Sequence, residues 1–155
     1  MIFVLAAVAI VTVVPLLGGR YANLAALRLQ HVWLVALALG LQILIITLLD
    51  LGPGPLGGGL HVVSYALVGT FVVLNRRVRW LWVIALGWAS NTAAIAANGG
   101  VMPMSPHVAE ALGETTSDRF TNSGPIDDAR LAVLGDVFVM PAWMPLQNSF
   151  SIGDV

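Results

Sequence analysis

No cysteine and no lysine occurs anywhere in these 155 residues, and charge of either sign is scarce. Without cysteine there are no disulfides, thiolate zinc sites, iron–sulfur clusters or covalently attached c-type haem. Without lysine there is no Schiff-base chemistry, and all basic side chains other than histidine are arginine. Charged residues make up 10% of the chain, against about 25% in a soluble domain. Also missing are a nucleophile elbow, a phosphate-binding loop, a dinucleotide fingerprint and a zinc-protease motif. No carboxylate or arginine stands in the middle of an apolar run, where an ion-coupled transporter or proton pump needs one.

What is present is apolar. Hydrophobic residues are 58% of the chain and the mean hydropathy is +0.89. The length suits one domain. Four apolar segments run over about 2–17, 32–49, 60–74 and 80–97. Five of the seven arginines fall in two gaps, Arg20 and Arg28 in the first and Arg76, Arg77 and Arg79 in the third. The gap between the second and third segments has none. This alternation follows the positive-inside rule for membrane proteins. A spanning helix needs about 20 apolar residues. The second and fourth segments meet this, and the third is extended at its outer end by Gly57–Gly59. The expected fold is therefore all-α, a polytopic membrane helix bundle with four transmembrane helices in residues 1–97. An interfacial helix over about 19–30 carries Tyr21, Leu24 and Leu27 on one face.

Residues 98–155 hold seven of the eight acidic side chains yet stay apolar, which predicts a small, partly ordered extracytoplasmic cap. Ser105-Pro106 predicts a helix to about Leu112, capped by the serine. Gly124-Pro125 followed by Asp127 and Asp128 predicts a second helix ending near Gly135. Val137–Pro145 contains two prolines, so it predicts an irregular apolar segment docked at the membrane surface, with Trp143 at headgroup level.

Several short motifs resemble an uncharacterised bacterial membrane-protein family, the domain-of-unknown-function 5317 family. They are His61-Val-Val-Ser-Tyr-Ala-Leu67, Asn75-Arg-Arg77, Asn98-Gly-Gly-Val-Met-Pro103, Leu134-Gly-Asp-Val137 and Ser151-Ile-Gly-Asp-Val155. The resemblance covers nearly the whole chain. Members often carry a basic residue at the position of Val101 and a proline at that of Ile152. Members tend to continue past the last motif into one further apolar helix, so this is either a shorter member or a chain whose fifth helix would follow Val155; the resemblance implies no activity.

Candidate sites follow from the polar residues within and beside the apolar runs. Gly87, Asn91, Ala94 and Asn98 form a polar stripe on the fourth segment, suited to a helix–helix hydrogen bond or to a substrate. Ala85, Ala89, Ala93 and Ala97 repeat every four residues and predict a close packing seam, with a shorter one at Ala36 and Gly40. In the expected topology His31 and His61 lie at opposite faces of the bilayer and cannot share one haem. His61, His107 and Asp50 have metal-capable side chains but no ligand spacing, so no metal or cofactor is assigned. Asn98-Gly99 suits a left-handed helix stop, and the backbone amides after it an anion nest. Asp136 and Asp154 each follow a glycine and could do acid–base work if close together. No catalytic residue is assigned, and nucleic-acid binding is not expected.

The expected function is non-enzymatic: an accessory or assembly subunit of a larger membrane complex; respiratory or photosynthetic assemblies would fit, though no residue points to either. Its partners would be the lipid bilayer and other integral membrane subunits. The expected location is the bacterial inner membrane, with the N-terminus and residues 98–155 outside the cytoplasm. The alternatives are a small transporter or channel using the Asn91 face, and a membrane enzyme at the outer face using Asp136, His61 or His107.

Overall fold

A computed structural model describes residues 16, 18, 20, 27–49, 51, 54–114, 119–143 and 147–155. The first predicted span, and most of the interfacial helix predicted over 19–30, lie outside these residues. Among the described residues there are four α-helices and two small sheets. Helix α1 is Trp33–Ile43 and continues as a π turn, Leu44–Leu48. Helix α2 is Pro55–Leu74 and α3 is Leu81–Ala97. After α3 come strand β1 (Met102–Met104), helix α4 (Pro106–Leu112), β2 (Ser123–Pro125), β3 (Phe138–Val139) and β4 (Ser149–Phe150). Two 3-10 turns, Ala132–Leu134 and Ile152–Asp154, flank the last strand pair.

This corrects the four-span, all-α expectation. Among the described residues only α2, at 20 residues, is long and apolar enough to cross a membrane. Trp33–Leu48 and Leu81–Ala97 are shorter apolar helices. Apolar run length overestimated both, because an apolar residue at a helix end adds to the run and not to the helix. Trp80 shows this: it has a left-handed backbone, φ 69°, so α3 starts only after it. The run judged short became the longest helix, because Pro55 starts α2 five residues before Leu60. Proline suits a first helical position, where its missing N–H costs nothing.

The strands were missed because two or three residues carry no readable alternation. β1 and β2 pair in parallel, Met102 opposite Ser123, and β3 and β4 pair antiparallel, Phe138 opposite Phe150. The helix predicted after Gly124-Pro125 is absent. Gly124 and Pro125 belong to β2, and Asp128 and Leu131 both have φ 52°, which breaks a right-handed helix. Only the 3-10 turn Ala132–Leu134 forms before Gly135. Helix α4 is Pro106–Leu112, with the Ser105 hydroxyl accepting from Val108 N–H at 3.4 Å. In the segment Val137–Pro145, Met140 is buried and Trp143 is exposed, while Met144 and Pro145 lie outside the described residues.

α1, α2 and α3 pack side by side. Asn75 joins one end of this unit. Its amide donates to Phe71 O (2.8 Å) and Gln30 O (2.9 Å) and accepts from Gln30 N–H (2.7 Å), so one side chain caps α2 and holds the approach to α1. The far end is joined by glycines. A Cβ on Gly58 would overlap the backbone at Gly99 and Gly100, so the start of α2 and the end of α3 meet main chain to main chain. Ala94, Ile95 and Met102 form one buried cluster, and Met104, Val108 and Ala109 another beneath α4.

Candidate functional site

The polar stripe of α3 faces inward. Asn91 and Ala94 are buried and Gly87 and Asn98 half-buried, whereas Ala89 and Ala93 are exposed. Ala85 and Ala97 are half-buried, and Ala36 and Gly40 on α1 are exposed. The chain's own packing thus uses the Gly87–Asn98 face and leaves Ala89 and Ala93 outward.

The last turn of the described chain docks on that inward face. Ser151 is 0% exposed, and its hydroxyl lies 2.8 Å from both Asn91 Oδ1 and Asp154 Oδ2. Asn91 Nδ2 donates to Asp154 Oδ1 at 2.9 Å. Asp154 Oδ2 also accepts from Ser151 N–H, and Ser151 Oγ from Gly153 N–H, so Ser151 and Asp154 form a capping box around the 3-10 turn. Glycine makes the approach possible: a Cβ on Gly87 would overlap Gly153 O, and one on Gly153 would overlap Asn91 Oδ1. The joint lies about 15 Å along α3 from Leu81, well inside the helix.

Asp136 organises a second joint. It is buried, and its Oδ2 accepts from Ser123 Oγ (2.5 Å) and Ser149 Oγ (2.8 Å). Its N–H donates to Pro103 O at 2.8 Å and its carbonyl accepts from Ser105 N–H at 3.0 Å. One residue therefore ties β1, β2 and β4 together. Burial pushes the Asp136 carboxyl above its ordinary pKa, against the two serine hydrogen bonds, and the Asp154 charge adds to the rise. Tyr65 of α2 lies in the field of both carboxylates. The two acids suggested by Gly-Asp spacing are thus brought within electrostatic reach, each held by serine or asparagine donors.

The remaining sites are joints too. His61 Nδ1 donates to Gly100 O at 2.6 Å, and its ring meets Tyr65 and Phe120 edge-on at 5.3 and 5.8 Å. Gly99 and Gly100 take the left-handed backbone, φ 70° and 95°, where α3 stops. Asn98 Nδ2 donates to Arg130 O (2.7 Å), and Asn98 Oδ1 accepts from Arg130 N–H (2.9 Å). His107 is exposed on α4 and Asp50 lies outside the described residues. No group of three metal-capable side chains occurs among the described residues.

Nearly every short motif seen in the sequence is thus a junction between α2, α3 and the segment after Asn98. Residues 26–155 of the chain match a family model. The chain belongs to DUF5317, a family of unknown function. No curated protein and no solved structure matches it. Sequence reasoning about this DUF5317 chain missed Ser123, Ser149, Tyr65 and Trp88, whose indole donates to Tyr65 O at 3.0 Å. Ser151-x-x-Asp154 carried a legible signal, the capping-box spacing.

Proposed function

We propose that this chain is a non-enzymatic, membrane-associated accessory or assembly subunit of a larger complex. The observation that carries the reading is the apolar outer surface of the three long helices. Trp33, Val35, Leu37, Leu39, Trp82 and Ile84 are all exposed, and only 28% of the apolar window of α2 is buried. A soluble monomer rarely exposes contiguous apolar surface on this scale. Lipid or a partner helix would cover it. The polar motif residues support a structural role, because their hydrogen bonds are spent inside the chain. The transporter alternative has less support for the same reason: both ends of the Asn91 amide are engaged by Ser151 and Asp154.

In this reading α2, the helix long and apolar enough to span, crosses the bacterial inner membrane, with Arg76, Arg77 and Arg79 just past its end on the cytoplasmic side. The exposed Ala89–Ala93 face takes a helix of another subunit, since small side chains allow close approach. The test is a photo-crosslinking residue placed at Ala89 or Ala93 in cells. A reproducible adduct with one protein species, absent when the probe replaces exposed Val63 on α2, is expected. Adducts with lipid alone at both positions would overturn the subunit reading.

A further inference from the structure

We propose that the turn between α2 and α3, with the residues leading into α1, is a binding surface for anionic phospholipid headgroups; this deepens the membrane reading and rests on it. Arg76, Arg77 and Arg79 are exposed in six residues of turn between Leu74 and Leu81. Arg28 is exposed two residues before Gln30, which Asn75 bonds to the same end of the helical unit. The described helical unit contributes no acidic residue: seven of the eight acids follow Asn98 and the eighth is Asp50. The surface therefore has one sign of charge.

The aromatic residues complete it. Trp33, Trp80 and Trp82 are each about 60% exposed around the arginines. Indoles at that position suit the boundary between acyl chains and headgroups. Trp80 and Trp82 stand 6.4 Å apart, and the Arg79 guanidinium lies 5.8 Å from the Trp80 ring centroid. A guanidinium over an indole keeps its charge while its flat face is covered, so its N–H edge stays free for phosphate oxygens. The turn is also held in place beforehand. Asn75 is buried with three hydrogen bonds, Val78 N–H donates to Asn75 O at 2.8 Å, and Trp80 is locked at positive φ. A non-glycine residue kept in that conformation is a strain that the surrounding bonds must maintain. It turns Trp80 and Arg79 outward together.

The full chain would be placed in nanodiscs of phosphatidylcholine alone and of phosphatidylcholine with phosphatidylglycerol, then released for native mass spectrometry. Retention of phosphatidylglycerol over phosphatidylcholine is expected, falling on the order of fivefold for each arginine changed to glutamine at 76, 77 and 79. The Arg→Lys triple variant should keep most of the preference, and Arg130→Gln, at the other end, all of it. Entry into both bilayers with no lipid preference, or a preference the glutamine variants keep, would overturn the surface and leave the membrane reading standing. Loss of the preference on adding inorganic phosphate at constant ionic strength would reveal a free-phosphate site and overturn the lipid assignment. Failure of the wild-type chain to enter either bilayer would overturn both.

Discussion

Asn91 and Asp136 each hold distant parts of the chain together with one short side chain, and their substitutions should read as lost stability. Asn91→Ala leaves the buried Ser151 hydroxyl and the Asp154 carboxylate without their partner on α3. Ser151 keeps its bonds to Asp154 and Gly153, so the loss is that of the two hydrogen bonds to α3, about 0.5–1.5 kcal/mol each. Thermal unfolding should show that loss, and amide exchange should rise first at Ser151–Val155. Gly153→Ala should act similarly, because its Cβ overlaps Asn91 and Gly87. Asp136 predicts a pH dependence. Its native pKa is raised, so the native state keeps the proton to higher pH than the unfolded chain does. Its contribution is full below the unfolded-state value, about pH 4, and is lost as pH rises through the native value. The unfolding midpoint should fall across that window in the wild type and lose this slope in Asp136→Asn; parallel curves would count against it. Asp154 and Tyr65 are its titratable neighbours. Asn91, Asp136 and His61 could be picked from the sequence as polar residues in apolar surroundings. Their partners could not. Ser151 is 60 residues from Asn91 and Gly100 is 39 from His61, and no local pattern marks a serine or glycine as the other half of such a bond.

Helix α3 shows how a periodicity can be right and its assignment incomplete. The four-residue alanine repeat and the Gly87–Asn98 stripe were both legible, since both follow helical spacing. Which one the chain buries was not, because that depends on where residues 149–155 return. The glycines at 87 and 153 decide it: with no Cβ at either position the two backbones touch there. Ala89→Leu should therefore change the stability of the isolated chain by less than about 0.5 kcal/mol. Ala94→Leu, at a fully buried position, should cost about 1–3 kcal/mol. If instead Ala89→Leu unfolds the chain, the face is occupied from within. Helix α2 was legible in type and, through Gly57–Gly59, in most of its outer extension, but its start at Pro55 was not. In the fold, Gly57 lies against Phe120 and Gly58 against Gly99, so these glycines serve contact rather than turning.

At the scale of the described molecule, polarity in the α1–α3 unit runs opposite to that of a soluble domain, whereas the segment after Asn98 buries an apolar cluster of its own. Large apolar side chains cover the outside of α1–α3, while Asn75, Asn91, His61, Ser64, Asp136, Ser149 and Ser151 are buried. Gln42 of α1 donates to Ser64 of α2 at 3.0 Å, so even the helix contacts carry hydrogen bonds. Such an arrangement suits surroundings that are themselves apolar, where an internal polar network specifies packing that hydrophobicity cannot. Composition made the apolar surface of the helices legible. The small sheets that attach the acidic segment to the helices rest on tertiary pairing and were not. The central claim is that this outer surface is covered by partner subunits within a membrane. The direct measurement is the mass and composition of the particle carrying this chain after extraction of native membranes in mild detergent. The account predicts a particle of fixed stoichiometry containing other integral membrane chains, dispersed by harsher detergent. A chain recovered as a lone monomer, or released by alkaline carbonate without detergent, would contradict it.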